Sequence, residues 1–193
     1  MRWTEYAGPH TIVWVATATA SAAMLAPATA LGATYLTEAQ AQAALFPQAT
    51  AFTARPVKLT PEQADQLKAR LGSAPVMGYT HVAEALAGSQ RLGWFVTDSV
   101  VGKFEMIDYA VAFSPSGDIL GVEILNYRES HGGEVRTPAW RKQFVGKTAT
   151  APLSVGNDIA NISGATMSVS HLTEGIRRLA LVTQMMLDGQ AAK

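Results

Sequence analysis

The sequence predicts one α+β domain with a central twisted antiparallel sheet flanked by helices, preceded by an N-terminal signal or anchor segment. Three observations carry this. Residues 104–113 alternate through a full strand: Phe104, Met106, Asp108, Ala110 and Ala112 point one way, and Glu105, Ile107, Tyr109, Val111 and Phe113 the other. The run Ser114-Pro115-Ser116-Gly117-Asp118 has the composition of a turn, and a second apolar run follows at 119–127, so the two runs close a hairpin. Further on, Leu172, Ile176, Leu179 and Val182 recur at helical spacing with Arg177 and Arg178 off the stripe, as in a helix laid against a core.

The elements follow in order. Residues 1–34 read as a signal peptide or a single-span membrane anchor. The run Thr11–Tyr35 carries no charge and exceeds the roughly 20 apolar residues needed to cross a bilayer. Ala28-Thr29-Ala30 has the small-x-small form of a signal-peptidase site, with Pro27 just before it. Cleavage, and membrane association through residues 11–33 without cleavage, both stay open. Both place the rest of the chain outside the cytoplasm, and the bland alternative is a buried N-terminal helix. Residues 35–74 read as an N-terminal helical extension. Thr37-Glu38-Ala39-Gln40 fits a capping box and opens a helix to about Phe46, stopped by Pro47. Residues 48–58 look extended. Thr60 is then an N-cap, Pro61 the first helical residue, Gln63 the partner that completes the box and Gly72 the stop.

Residues 75–193 read as the main domain, with strands at 76–82, 92–101, 104–113 and 119–127. A short helix starts near Pro138, and a last helix runs from Ser168 or Ser170 to about Leu187. No internal repeat is visible, and no low-complexity linker follows residue 35.

Composition narrows the function. Lys+Arg and Asp+Glu are equal at 15 each, so the chain shows no basic excess of the kind nucleic-acid binders carry, and no nucleic-acid partner is expected. With no cysteine, a structural disulfide, a thiolate zinc site and an iron–sulfur cluster are excluded. The histidines at 10, 81, 131 and 171 are scattered, without a metal-ligand spacing, so no metal is expected. Met185 and Met186 read as packing residues.

The stretch Asn161-Ile162-Ser163-Gly164-Ala165-Thr166-Met167-Ser168-Val169-Ser170 spends more small residues than a chain reversal needs. Gly164 lets a ligand approach the backbone. The helix that follows presents unpaired N–H groups and the positive end of its dipole, and Ser163, Thr166, Ser168 and Ser170 add hydroxyls, so the segment is a candidate anion site. The alternative is a glycine turn before a serine-capped helix, its hydroxyls serving only the chain. No lysine follows the glycine, so this is not the GxxxxGK[ST] phosphate loop.

The order I-S-G-A-T-M-S before a leucine-striped helix resembles the flavinylation motif of the FMN-binding domain family. That family includes the covalent-flavin subunits of sodium-pumping quinone reductases and of related ferredoxin-oxidising membrane complexes. A second segment, VEILNYRESHGGEVRTPAWRKQFVGKT, resembles the family's strand, E-T-P-G-L-G-type loop, aromatic-containing helix and G-K. The similarity covers roughly residues 75–187. Three positions depart from the pattern. Ala160 stands where many relatives carry an acidic residue, with Asn161 after it and Asp158 before it, and the loop has His131 for proline and Gly133 for leucine.

The resemblance implies FMN held covalently on Thr166 through a phosphoester. It implies that a separate flavin transferase, using FAD and a divalent metal, attaches it. Ser163, Gly164, Ala165 and Met167 would shape the turn that the transferase reads, while Ser168 and the amides after it would hold the phosphate. Glu129, Ser130, His131, Gly132 and Gly133 would lie against the isoalloxazine or ribityl chain. His131 could bond a flavin heteroatom or simply face solvent. Tyr127 and Trp140 could stack on the ring or belong to the core. The implied function is an exported electron carrier, in the periplasm or at the outer face of a bacterial cytoplasmic membrane, with membrane or periplasmic redox partners. Two alternatives stand beside it: an exported assembly subunit that keeps the fold without covalent flavin, and a flavin-dependent reductase with its own substrate.

Overall fold

The computed structural model describes residues 35–72 and 81–191. The expected N-terminal segment and positions 76–80 of the first expected strand lie outside the described residues. The elements are α1 (Glu38–Leu45), β1 (Ala51–Ala54), α2 (Pro61–Leu71), β2 (His81–Ala87), β3 (Gln90–Val101), β4 (Met106–Phe113), β5 (Ile119–Tyr127), α3 (Pro138–Arg141) and α4 (Thr166–Ala191). The five strands form one antiparallel meander in the order β1-β2-β3-β4-β5. This is the predicted α+β architecture.

Local chemistry sets the first helices. Thr37 with Gln40, and Thr60 with Gln63, both form complete capping boxes, and Gly72 closes α2 in the left-handed conformation at φ +71°. The expected 114–118 turn is also present. The Ser114 and Ser116 hydroxyls both donate to the Asp118 carboxylate, at 2.9 and 2.6 Å.

The sheet is covered on both faces. Val96, Ile107, Tyr109, Val111 and Phe113 pack with Leu172, Ile176 and Leu179 of α4 on one side. On the other, Ala41 and Phe46 of the α1 region meet Ala85, Phe95, Ala110 and Ala112. The alternation in β4 thus separates two cores rather than a core and a solvent face. Leu67 of α2 packs on Leu181, Val182 and Met185 of α4. Trp140 is core as well: it is buried, and its ring meets Phe144 edge to face at 5.1 Å. The outer edge of β5 bonds residues 146 and 147 at Ile119 and accepts from the amides of Tyr35 and Leu36 at Leu125, which breaks up the bare edge.

Several expected boundaries move. The structure carries β2 on to Ala87, through Ala83-Glu84-Ala85-Leu86-Ala87. These are helix-forming residues locally, and antiparallel pairing with β3 decides their state. Phe104 and Glu105 leave β4 for the turn before it, because the Glu129 carboxylate takes both of their amides. α4 starts at Thr166 and continues to Ala191, so Ser168 and Ser170 lie inside the helix rather than capping it.

Arg178, expected off the apolar stripe, points into the molecule. Its guanidinium pairs with Asp98 of β3, and the buried Tyr109 hydroxyl donates to the same carboxylate at 2.9 Å. Burial, then the Asp98 charge, pushes the Tyr109 phenol well above its usual range, so it stays a donor.

Candidate functional site

The segment leading into α4 is fixed at several points. The Asp158 carboxylate accepts from the amides of Leu153 and Ser154 at 3.2 and 2.8 Å and pairs with Lys147 at 2.9 Å. Burial alone would raise its pKa; the amides and Lys147 outweigh that and hold it below the usual aspartate value. Asp158 is therefore committed to its own loop and does not reach the residue-166 hydroxyl. Ala160 is pinned from both sides: Trp140 Nε1 donates to its carbonyl at 2.9 Å, and its amide donates to Gln143 Oε1 at 2.7 Å.

Gly164 turns the chain at φ +80°, where a side chain would be strained. The Ala165 amide bonds back to the Ile162 carbonyl at 3.1 Å, and the Val169 amide to the Ala165 carbonyl at 3.0 Å. Ala165 stands at the cap position and has no side-chain oxygen to offer, so the amides of Thr166, Met167 and Ser168 have no partner among the described residues. The free donors are thus those up to Ser168, one turn earlier than a helix starting at a serine would give. The Thr166 side chain is exposed, and Asn161 Nδ2 donates to its Oγ1 at 3.0 Å.

The second motif meets the first at Gly132, which lies at φ +84°. A Cβ there would stand 2.3 Å from Ala165 Cβ and 2.5 Å from the Tyr127 hydroxyl. Tyr127 is buried and donates to the His131 carbonyl at 2.5 Å, which shapes the loop from inside; this is the core reading of Tyr127 rather than a stacking one. Burial raises its phenol above the ordinary value, against the Ser168 hydroxyl beside it.

A cleft of about 370 Å³ opens where the two segments meet, lined by Lys103, Phe104, Glu129, Ser130, His131 and residues 164–168. Of the sequence-derived candidates, Glu129, Ser130, His131, Gly164, Ala165, Thr166, Met167 and Ser168 come together here. Ser163 is exposed on the turn outside the lining, Gly132 is buried beneath the cleft, and Gly133 packs on Arg136. The His131 side chain is exposed, and its ring pairs with the neighbouring Ser130 hydroxyl at 3.1 Å.

Lys103, Phe104 and Asn161 were not singled out from sequence. Nothing local marks Lys103 or Phe104, since a partner 25 residues away, Glu129, places their turn. The Glu129 carboxylate accepts from Phe104 N at 2.6 Å and Glu105 N at 3.0 Å. Burial would raise its pKa; the amides of Glu105, Phe104 and Lys103 and the Lys103 charge outweigh it and keep the group ionised below the ordinary glutamate range. Asn161 had a visible signal, being next to the position where the family places its acid.

Three unpaired amides, an exposed hydroxyl and a lysine around one cleft make a donor set suited to a phosphate-bearing ligand. The fold and site therefore define an α+β domain with a cleft suited to an anionic group at the head of its longest helix. Residues 102–180 match the family model described as FMN-binding domain, which bears out the resemblance carried by the two motifs. Among solved structures, the crystal structure of Shewanella oneidensis NqrC is similar at 22% identity with a TM-score of 0.46, and the match covers 59% of this chain and 62% of that chain. No curated protein matches the chain.

Proposed function

We propose that the protein is an exported electron-transfer flavoprotein carrying FMN through a phosphoester to Thr166, relaying electrons in or next to a membrane redox chain. One observation carries the reading: the Thr166 hydroxyl stands at the head of α4, beside three unpaired amides, in the same cleft as residues 129–131 of the second motif. The amides of Thr166, Met167 and Ser168 would hold the phosphate oxygens, with the helix dipole behind them. The Gly164 turn keeps the backbone clear of the ester. The cleft is of a size that small-ligand pockets commonly have.

FMN, when bound, supplies one- and two-electron chemistry, and the chain supplies position and charge. The Thr166 hydroxyl is a weak nucleophile without a base or metal to activate it. Asn161, its partner here, offers an N–H rather than a base. A separate transferase therefore makes the ester, splitting FAD so that the threonine oxygen takes the FMN phosphoryl group and AMP leaves. Covalent attachment suits a location outside the cytoplasm, in the periplasm or at the outer membrane face, where a dissociated flavin would be lost. The partners on this reading are the transferase and membrane or periplasmic redox proteins.

The test is to express the full chain with a flavin transferase, denature it and look for flavin fluorescence in the gel band, with intact mass measured alongside. A fluorescent wild-type band, one FMN heavier than Thr166→Ala, is expected. A bare wild-type protein from such cells would overturn the reading and favour an assembly subunit that keeps the fold without flavin.

A further inference from the structure

Phe104 is the most exposed of the large apolar side chains among the described residues, at 75%. An isolated exposed phenylalanine needs no explanation, but this one is fixed. Its amide and that of Glu105 are both held by the Glu129 carboxylate, and the Gly102 amide bonds the Glu105 carbonyl at 2.7 Å, closing the turn. A Cβ on Gly102 would stand 2.4 Å from the same carboxylate, so the turn has been brought as close as the backbone allows. Phe104 lines the same cleft as Thr166 and Met167, and Met167 is itself half exposed. Lys103 Nζ lies 4.9 Å from the ring centroid, and no aromatic ring among the described residues stacks on Phe104. The molecule thus holds, on a fixed turn at the mouth of the cleft, a solvent-facing aromatic ring that meets the Lys103 ammonium but no other ring among the described residues.

Resting on the reading of the site given above, we infer that Phe104 is the shelf on which the isoalloxazine of the FMN on Thr166 lies, and that Glu129 is the positioning residue that fixes the shelf. A flat, electron-poor ring tethered at its phosphate end has the shape to cover the free face of Phe104 in offset stacking. The assignment gives Glu129 a different part from direct flavin contact: its carboxylate is spent on the turn.

The test uses the full chain, flavinylated in cells, with native fluorescence expressed against fluorescence after denaturation so that loading cancels. In Phe104→Trp an indole replaces the phenyl ring, and indole in contact with a flavin quenches its emission. The native-to-denatured ratio is expected to fall several-fold below wild type. In Leu120→Trp, at the far end of β5 from the cleft, the ratio is expected to stay at the wild-type value. In Phe104→Ala, iodide is expected to quench the native flavin more steeply than in wild type. Either change in a Phe104 variant supports the contact. Wild-type behaviour of both, in protein whose denatured band fluoresces, overturns it while leaving the covalent reading intact. A dark denatured wild-type band instead removes that reading, and this one with it.

Discussion

Gly132 and Ala165, 33 positions apart in the chain, touch so closely that a single methyl group between them has no room: a Cβ on Gly132 would lie 2.3 Å from Ala165 Cβ. This contact joins the two segments that build the cleft. Gly132→Ala adds the clash to the strain of a positive φ, and about 2–3 kcal/mol of stability should be lost. Urea unfolding measures it. A loss under about 0.5 kcal/mol, the usual scale of a neutral surface change, would show that the junction yields.

On the proposed reading, Asn161 should act on the flavin-attachment step. Its N–H holds Thr166 Oγ1 in one orientation and leaves the hydroxyl proton free for a transferase's base. Removing a hydrogen bond worth about 1 kcal/mol predicts a roughly fivefold slower flavin incorporation in Asn161→Ala. Asn161→Asp, which can accept the hydroxyl proton, should incorporate flavin at least as fast as wild type. A time course of gel-band fluorescence with added transferase and FAD ranks the three; equal rates in all would remove Asn161 from the reaction.

The pair of Asp98 with Arg178 ties α4 to the sheet. Arg178→Ala leaves the Asp98 carboxylate buried without its guanidinium, which costs about 3–5 kcal/mol when such a pair is broken. Adding Asp98→Asn, which removes the stranded charge and can still accept from Tyr109, should recover part of that loss. Chemical denaturation of the single and double variants forms the cycle, and a double variant no more stable than Arg178→Ala would contradict the account.

Acid should loosen the β1–β2–β3 edge. Glu84 is buried and bonded by Arg91 and Arg55. The Arg91 hydrogen bond, against burial and with help from Arg55, holds its pKa below the ordinary glutamate value. The unfolded chain therefore takes up the proton first. The stability this carboxylate adds is complete above the ordinary value of about 4.3 and is lost as pH falls through the lower, folded value. Between pH 6 and 3 the urea midpoint of wild type should fall more than that of Glu84→Gln; parallel curves would refute the assignment.

What the sequence made legible was local. The capping boxes at Thr37 and Thr60, the turn at 114–118 and the alternation of β4 are each decided within a few residues. Ala83 to Ala87 misleads because its residues favour helix one by one, while β3 supplies the pairing. The start of α4 misleads because Ser168 and Ser170 look like caps, yet the cap position falls on Ala165, whose methyl is buried against Gly132. At the site, ordered small residues marked the turn and the loop. The turn carrying Phe104 could not be read, since its geometry comes from a carboxylate on another strand. Arg178 was hidden in the same way, its partner lying 80 residues back.

Gly175 sits on α4 where any larger residue would strike the sheet: a Cβ there would stand 2.4 Å from the Tyr109 hydroxyl and 2.8 Å from Val100 Cγ1. A glycine notch fitted over a tyrosine works as a key, and it forbids the helix to slide along its axis. The head of α4, and whatever it bears, keeps a fixed address on the sheet. On the proposed reading, a flavin on Thr166 is therefore carried as a fixed load of the domain, and not on a helix that slides over the sheet.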